Sequence, residues 1–198
     1  MTNMIDIQWS LFLSGDKTAF EYIYRMLLPP LYEYGMRKVG DEALVRDAIQ
    51  DIFEQLWEGR GKLSQISRPK HYLMVALKNR LLNAQLKEGK LSPITYKEEF
   101  ALQFNLENQI IKNEEDNRRA QQIIRALDQL TPKQREVIYL RYFEELSYEE
   151  IATLTNISVK SLYKLNHRAI ESLKEFLSMP KADIVLLLTF VKMLYSNY

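Results

Sequence analysis

The sequence predicts an all-α fold: two small helical domains joined by a linker, the second a helix–turn–helix. Three observations carry this. Apolar residues recur at helical spacing along most of the chain. Thr/Ser-x-x-Gln/Glu boxes punctuate its C-terminal part. Only six glycines and six prolines occur in 198 residues, too few for a turn-rich β fold or a glycine-cradled phosphate site. The expected divisions are an N-terminal helical domain (1–88), an acidic linker (89–117), a helix–turn–helix domain (118–178) and an apolar tail (179–198).

The elements follow in order. Phe20, Ile23, Tyr24 and Leu27 mark a helix over Thr18 to Leu28, and Pro29-Pro30 should kink or restart it near Leu31. Val45, Ala48, Ile49, Ile52, Phe53, Leu56 and Trp57 repeat at i, i+3, i+4, i+7, a clear amphipathic helix that stops before Gly59 and Gly61. A loop rich in serine and basic residues leads through Arg68, Pro69 and Lys70 into a helix over roughly Tyr72 to Leu86. Gly89 to Asn117 shows no dependable period and reads as interdomain linker. Ile123, Ile124, Leu127 and Leu130 mark the next helix. Thr131 with Gln134 forms a capping box around Pro132, and Ser147 with Glu150 forms a second. Asn156 and Ile157 turn the chain, Ser158 caps a helix running towards Leu177, and Met179-Pro180 ends it. The run Ile184 to Tyr195 reads as a short packed helix.

The net charge is only +1, but its distribution is uneven. Met1 to Glu58 holds five basic and ten acidic residues. Gly59 to Lys90 holds eight basic residues against Glu88 alone. Leu91 to Asn117 turns acidic again, and Asn156 to Ile170 carries Lys160, Lys164 and Arg168 with no acid. Two basic stretches separated by an acidic one suggest two contacts with one polyanion. The composition excludes several classes. With no cysteine there is no disulfide framework, thiolate nucleophile or cysteine zinc site, which is compatible with a reducing, cytoplasmic setting. The N-terminus lacks a signal-peptide pattern, and no apolar tract approaches the roughly 20 residues of a membrane span. There is no glycine-rich loop and no HExxH, so an enzyme is poorly supported. With only His71 and His167 as histidines, no metal or other cofactor is expected.

Three faces are candidate sites. Leu162, Leu165, Ala169 and Leu173 form the apolar stripe of the helix after Ser158. Lys160, Tyr163, Lys164, His167 and Arg168 lie opposite, with Ser161 beside them, as a face that could meet phosphates and base edges in a major groove. In the basic segment, Arg68, Lys70, Lys78 and Arg80 supply cations, Tyr72 an aromatic plane, and Ser64, Ser67, Asn79 and Asn83 polar readers, the set that unpaired bases require. On the helix from Val45, Asp47, Asp51, Glu54 and Glu58 make an acidic stripe flanked by Gln50 and Gln55. A solubilising face and a docking surface for a basic partner explain that stripe about equally well.

These blocks together resemble bacterial sigma factors of the extracytoplasmic-function (ECF) group, over roughly Ser14 to Leu177. The resemblance starts at Gly15-Asp16-Lys17-Thr18-Ala19-Phe20. It continues through Asp47-Ala48-Ile49-Gln50-Asp51-Ile52-Phe53-Glu54-Gln55-Leu56-Trp57, similar to the family's core-polymerase-binding helix. Pro69-Lys70-His71-Tyr72-Leu73 through Asn79-Arg80 is similar to its promoter-melting and minus-ten-reading segment. Leu130-Thr131-Pro132-Lys133-Gln134-Arg135-Glu136-Val137 and Leu146-Ser147-Tyr148-Glu149-Glu150-Ile151-Ala152 resemble its minus-thirty-five-binding domain. One departure is local: the family often carries a basic residue at Leu165 and an apolar one at Asn166.

The resemblance implies a promoter-specificity subunit without catalytic activity, acting in the cytoplasm. Its partners would be core RNA polymerase, promoter DNA and an anti-sigma factor, with no membrane span. Asp47, Gln50, Asp51, Glu54 and Gln55 would dock on polymerase. Ser64 to Lys70, with Asn79 and Asn83, would hold an unstacked promoter base, and the linker would thread the RNA-exit path. The alternative is a duplex-binding regulator with an unrelated N-terminal sensor or dimerisation domain, which would not need the second basic segment.

Overall fold

The computed structural model describes residues 4–87, Phe100 and 114–195. No strand occurs among them, as expected of an all-α chain. The chain divides into two compact units, Met1–Lys97 and Glu98–Tyr198.

The first unit comprises α1 (Met4–Leu13), α2 (Lys17–Val39), α3 (Glu42–Gly59), a 3₁₀ turn (Arg60–Lys62) and α4 (Pro69–Lys87). Side-chain caps start its two longer early helices. Asp16 Oδ1 accepts from the Ala19 amide at 2.9 Å, and Asp41 Oδ1 from the Leu44 amide at 3.0 Å, each worth about 1 kcal/mol. α2 packs against α1, α3 and α4. The buried seam runs through Ile23, Leu27, Leu31 and Tyr34 of α2, Val45, Ile49 and Phe53 of α3, and Leu73, Leu77 and Leu81 of α4. Trp9, Phe12, Phe20, Phe53 and Trp57 extend it as an aromatic cluster with neighbouring centroids 5.1–6.3 Å apart.

α2 does not break at Pro29-Pro30 but continues to Val39. The prolines remove the donors that would reach the carbonyls of Arg25 and Met26. Both residues are exposed, so water can satisfy those oxygens, while burial of Leu27, Leu31 and Tyr34 holds both halves to one core. The helix ends at Gly40, whose φ of +66° closes the cap through its amide on Met36 O at 2.9 Å.

The second unit comprises α5 (Glu114–Asp128), α6 (Pro132–Ile138), a π turn (Tyr139–Phe143), α7 (Tyr148–Thr155), α8 (Val159–Leu177) and α9 (Lys181–Tyr195). Both capping boxes form. The Thr131 amide donates to Gln134 Oε1 at 2.9 Å, and the Ser147 amide to Glu150 Oε2 at 2.8 Å. α8 is the central strut, packing on α5, α6, α7 and α9 through Leu162, Ala169, Ile170 and Leu173. Periodicity placed Leu165 on this stripe. Leu165 is only half-buried, and Asn166 is buried instead. At about 100° per residue the centre of the buried stripe lies nearer Asn166 than Leu165. The Asn166 amide reaches the Tyr142 hydroxyl at 3.4 Å, and its Oδ1 has no partner.

The expected linker, 89–117, lies outside the described residues apart from Phe100 and the first turn of α5. Phe100 is 2 % exposed and sits 5.5 Å from the Tyr139 ring. The tail forms α9, which buries Ile184, Leu188 and Val191. Lys192 of α9 pairs with Glu145 at 2.5 Å. No helix among the described residues is long and apolar enough to cross a membrane.

One close approach in the first unit has a direct test. A Cβ on Gly35 would lie 2.8 Å from Val45 Cγ1, and the β-branched valine cannot swing away. Gly35→Ala should therefore destabilise the first unit by about 1–3 kcal/mol, read as a lowered denaturation midpoint.

Candidate nucleic-acid and polymerase interfaces

α8 presents the expected face. Ser158 Oγ accepts from the Ser161 amide at 3.3 Å and donates to Ser161 Oγ at 2.8 Å, so Ser161 forms part of the cap while keeping its own proton to donate. Lys160, Ser161, Tyr163, Lys164, His167 and Arg168 are all exposed. The turn before them is tight because Asn156 adopts a left-handed φ of +59°, a conformation asparagine tolerates. Ile151 and Leu154 of α7 are buried with Leu162 of α8, which fixes α8's rotation and turns its basic side outward.

Two residues that periodicity did not single out stand behind this face. Tyr148, at the start of α7, lies 4.0 Å from Tyr163 between ring centroids. Arg141 lies 5.0 Å over the Tyr148 ring and donates to Leu146 O at 2.8 Å. Arg141 belongs to the π turn, which no sequence pattern announces. The turn is closed by Tyr139 Oη donating to the buried Glu144 carboxylate at 2.5 Å and by the Leu146 amide on Leu140 O at 3.0 Å.

In the first unit, Ser64, Ser67 and Arg68 are exposed on the loop between the 3₁₀ turn and α4. On α4, Tyr72, Asn79 and Asn83 fall within about 40° of one another, opposite the buried Leu73, Met74, Leu77 and Leu81. Tyr72 is half-buried, while Asn79 and Asn83 are exposed; the three form a stacking plane with two amides along one face. Lys70 and Lys78 are half-buried and lie about 160° and 120° around the helix from Tyr72. Arg80 is turned aside and ion-paired to Asp51 of α3.

That pair divides the acidic stripe. Asp51 is tied to α4, whereas Gln50 and Glu54 (joined by a 2.9 Å hydrogen bond) line a groove of about 660 Å³ between α2 and α3. Its floor is apolar: Phe20, Tyr24, Leu28, Ile49, Phe53 and Trp57. Asp47 and Gln55 are exposed on α3 outside the groove. The groove escaped sequence reasoning because its aromatic residues have helical core spacing. Nearby, Arg60 stacks 4.5 Å over Trp57, and Arg46 holds the Glu42 carboxyl below its usual range by hydrogen bond and charge.

The sigma-70 region 2 model matches residues 23–90 and the sigma-70 region 4 model matches 120–173, together more than half of the chain. The chain belongs to the sigma-70 family of RNA polymerase subunits. The regions fall one in each structural unit. A similar relative is the RNA polymerase sigma factor CarQ of Myxococcus xanthus, 27 % identical over 173 residues, covering 87 % of this chain and 97 % of CarQ. Among solved structures, CnrH in complex with the cytosolic domain of CnrY shares the fold at 19 % identity and a TM-score of 0.52, over 88 % of this chain and 97 % of that one. The sigma factor RpoE with the anti-sigma factor NepR from Bartonella quintana shares it at 21 % identity and 0.52, over 81 % and 97 %. The chain is a promoter-recognition sigma subunit that binds core RNA polymerase and promoter DNA, and a duplex-only regulator is not favoured. Sigma factors are regulatory, non-enzymatic subunits.

Burial raises the Tyr148 hydroxyl above its ordinary value, with Tyr142 adding to the rise and Arg141 opposing it. The neutral form is thus favoured on folding, and its stability is intact below about pH 10. That stability is lost as pH climbs through the raised value. Tyr148→Phe should remove this part of the alkaline loss, visible as a flatter stability-against-pH curve above pH 10 than the parent shows.

Proposed function

We propose that the two units divide the work of promoter opening, with boundaries at 1–88, 89–117, 118–178 and 179–198. The α2–α3 groove, rimmed by Gln50 and Glu54 and flanked by Asp47, Asp51 and Gln55, docks on core polymerase. An apolar floor supplies the energy of burial, and acidic residues around it select a basic partner element. The loop carrying Ser64, Ser67 and Arg68 and the α4 face of Tyr72, Asn79 and Asn83 receive the separated strand. Stacking on Tyr72 offsets part of the few kcal/mol that unstacking a base costs. Lys70 and Lys78 hold the backbone, and Arg80 joins them when it leaves its ion pair with Asp51. Lys160, Ser161, Tyr163, Lys164, His167 and Arg168 engage the upstream duplex.

The observation that supports this most strongly is the pairing of outward faces. One unit carries an aromatic–amide face on a segment with eight basic residues and one acid, the other a cationic face with no acid from Asn156 to Ile170. The chain performs no catalysis of its own and acts in the cytoplasm, where its polymerase works. An anti-sigma factor is a further partner, as NepR is for a protein of the same fold.

In vitro transcription tests the reading. Core polymerase with this chain should initiate on a subset of a promoter library that core alone ignores. Lys164→Glu with Arg168→Glu should lower upstream-element binding at least tenfold while leaving core binding intact. Asn79→Ala with Asn83→Ala should spare both and slow strand opening. Holoenzyme affinity for duplex promoter should fall with salt at a slope near −0.9 per phosphate contact; a flat response would contradict phosphate neutralisation by these faces.

A further inference from the structure

Tyr163 is the odd residue on the α8 face. It is 55 % exposed, and the other large exposed apolar side chain on α8, Phe176, lies far away in the last turn. Lys160, Lys164 and His167 surround Tyr163 at i−3, i+1 and i+4, so its ring is an apolar island among polar groups. A tyrosine exposed to this extent would ordinarily exchange rotamers within nanoseconds. Here its ring is backed by Tyr148 at 4.0 Å, and Tyr148 in turn by the Arg141 guanidinium at 5.0 Å. Arg141, in the middle of the π turn, is fixed by its 2.8 Å bond to Leu146 O. The result is a three-rung ladder from the scaffold of the unit to its duplex-facing surface.

Cations and amides on such a face serve phosphates and the polar edges of bases. The one apolar group that a base pair shows in the major groove is the thymine C5 methyl. We propose that Tyr163 is a specificity-determining residue that packs on a thymine methyl of the upstream element, and that Tyr148 and Arg141 are positioning residues that hold its ring ready. The inference rests on the assignment of α8 as the duplex-reading helix. Positioning works by sparing the ring the cost of being immobilised at the moment of binding. Without Tyr148 that cost returns, and affinity should fall about 2- to 12-fold.

The experiment uses holoenzyme assembled from core polymerase and the full-length chain. Duplexes bound by the parent holoenzyme are first selected from a randomised upstream element. Each thymine is then replaced singly by deoxyuridine, which deletes the methyl and nothing else. At one thymine the replacement should weaken parent binding several-fold, and Tyr163→Ala should bind the two duplexes equally. Tyr148→Leu should lose most of the methyl preference. Tyr148→Phe keeps the ring and should retain it, which a loss of folding alone would not reproduce.

The inference is overturned if the selected element contains no thymine, if every replacement is neutral, or if the preference survives Tyr163→Ala or Tyr148→Leu. Failure of the underlying assignment reads differently. In that case Lys164→Glu with Arg168→Glu would leave upstream binding unchanged.

Discussion

Everything the second unit does depends on which way α8 is turned about its own axis. Burial of Leu162, Ala169, Ile170 and Leu173 sets that angle, at about 1.5–3 kcal/mol for each large side chain. Rotating the helix by a quarter turn would drag Lys164 or Arg168 into an apolar interior, at a cost no surface contact could offset. The cationic face is therefore a consequence of packing. Nothing needs to order these side chains as a group except the seam behind them, and the α7 capping box and the Asn156 turn bring that seam into register.

The same logic operates in the first unit, with an additional tie. α3 has an apolar side against α2 and α4, and its acidic stripe straddles two surroundings. Glu54 and Gln50 face the groove, while Asp51 reaches Arg80 of α4. At this half-exposed site the pair contributes little to stability, so its use is geometric. Burial of Leu73, Met74, Leu77 and Leu81 sets the azimuth of α4, and hence where Tyr72, Asn79 and Asn83 point; the pair takes Arg80 out of that face. One residue of the stripe is thus tied to α4, and two others rim the groove.

Much of this was legible from residue order. Capping residues Thr131, Ser147 and Ser158, the i, i+3, i+4 pattern of α3 and the opposed faces of α8 are local signals, and local signals are what a sequence displays. What stayed hidden depends on tertiary packing. Pro29-Pro30 reads as a kink or a restart, yet one helix runs through it because the core on both sides spans it. Leu165 and Asn166 exchange roles because the stripe's centre is set by four neighbouring helices. The π turn, the Arg141–Tyr148–Tyr163 ladder and the Asp51–Arg80 tie join residues whose partners no periodicity can name. The aromatic groove was masked by its own regularity, since groove and core aromatics share one spacing.

The chain contains no cysteine, so a single introduced thiol can carry a unique DNA-cleaving probe. Holoenzyme bearing Lys164→Cys or Asn83→Cys, each coupled to such a reagent, should be mapped on the same promoter. The account requires cuts in the paired upstream element from position 164 and in the separated strands near the start site from position 83. Overlapping cuts from the two positions, or none upstream from position 164, would contradict it.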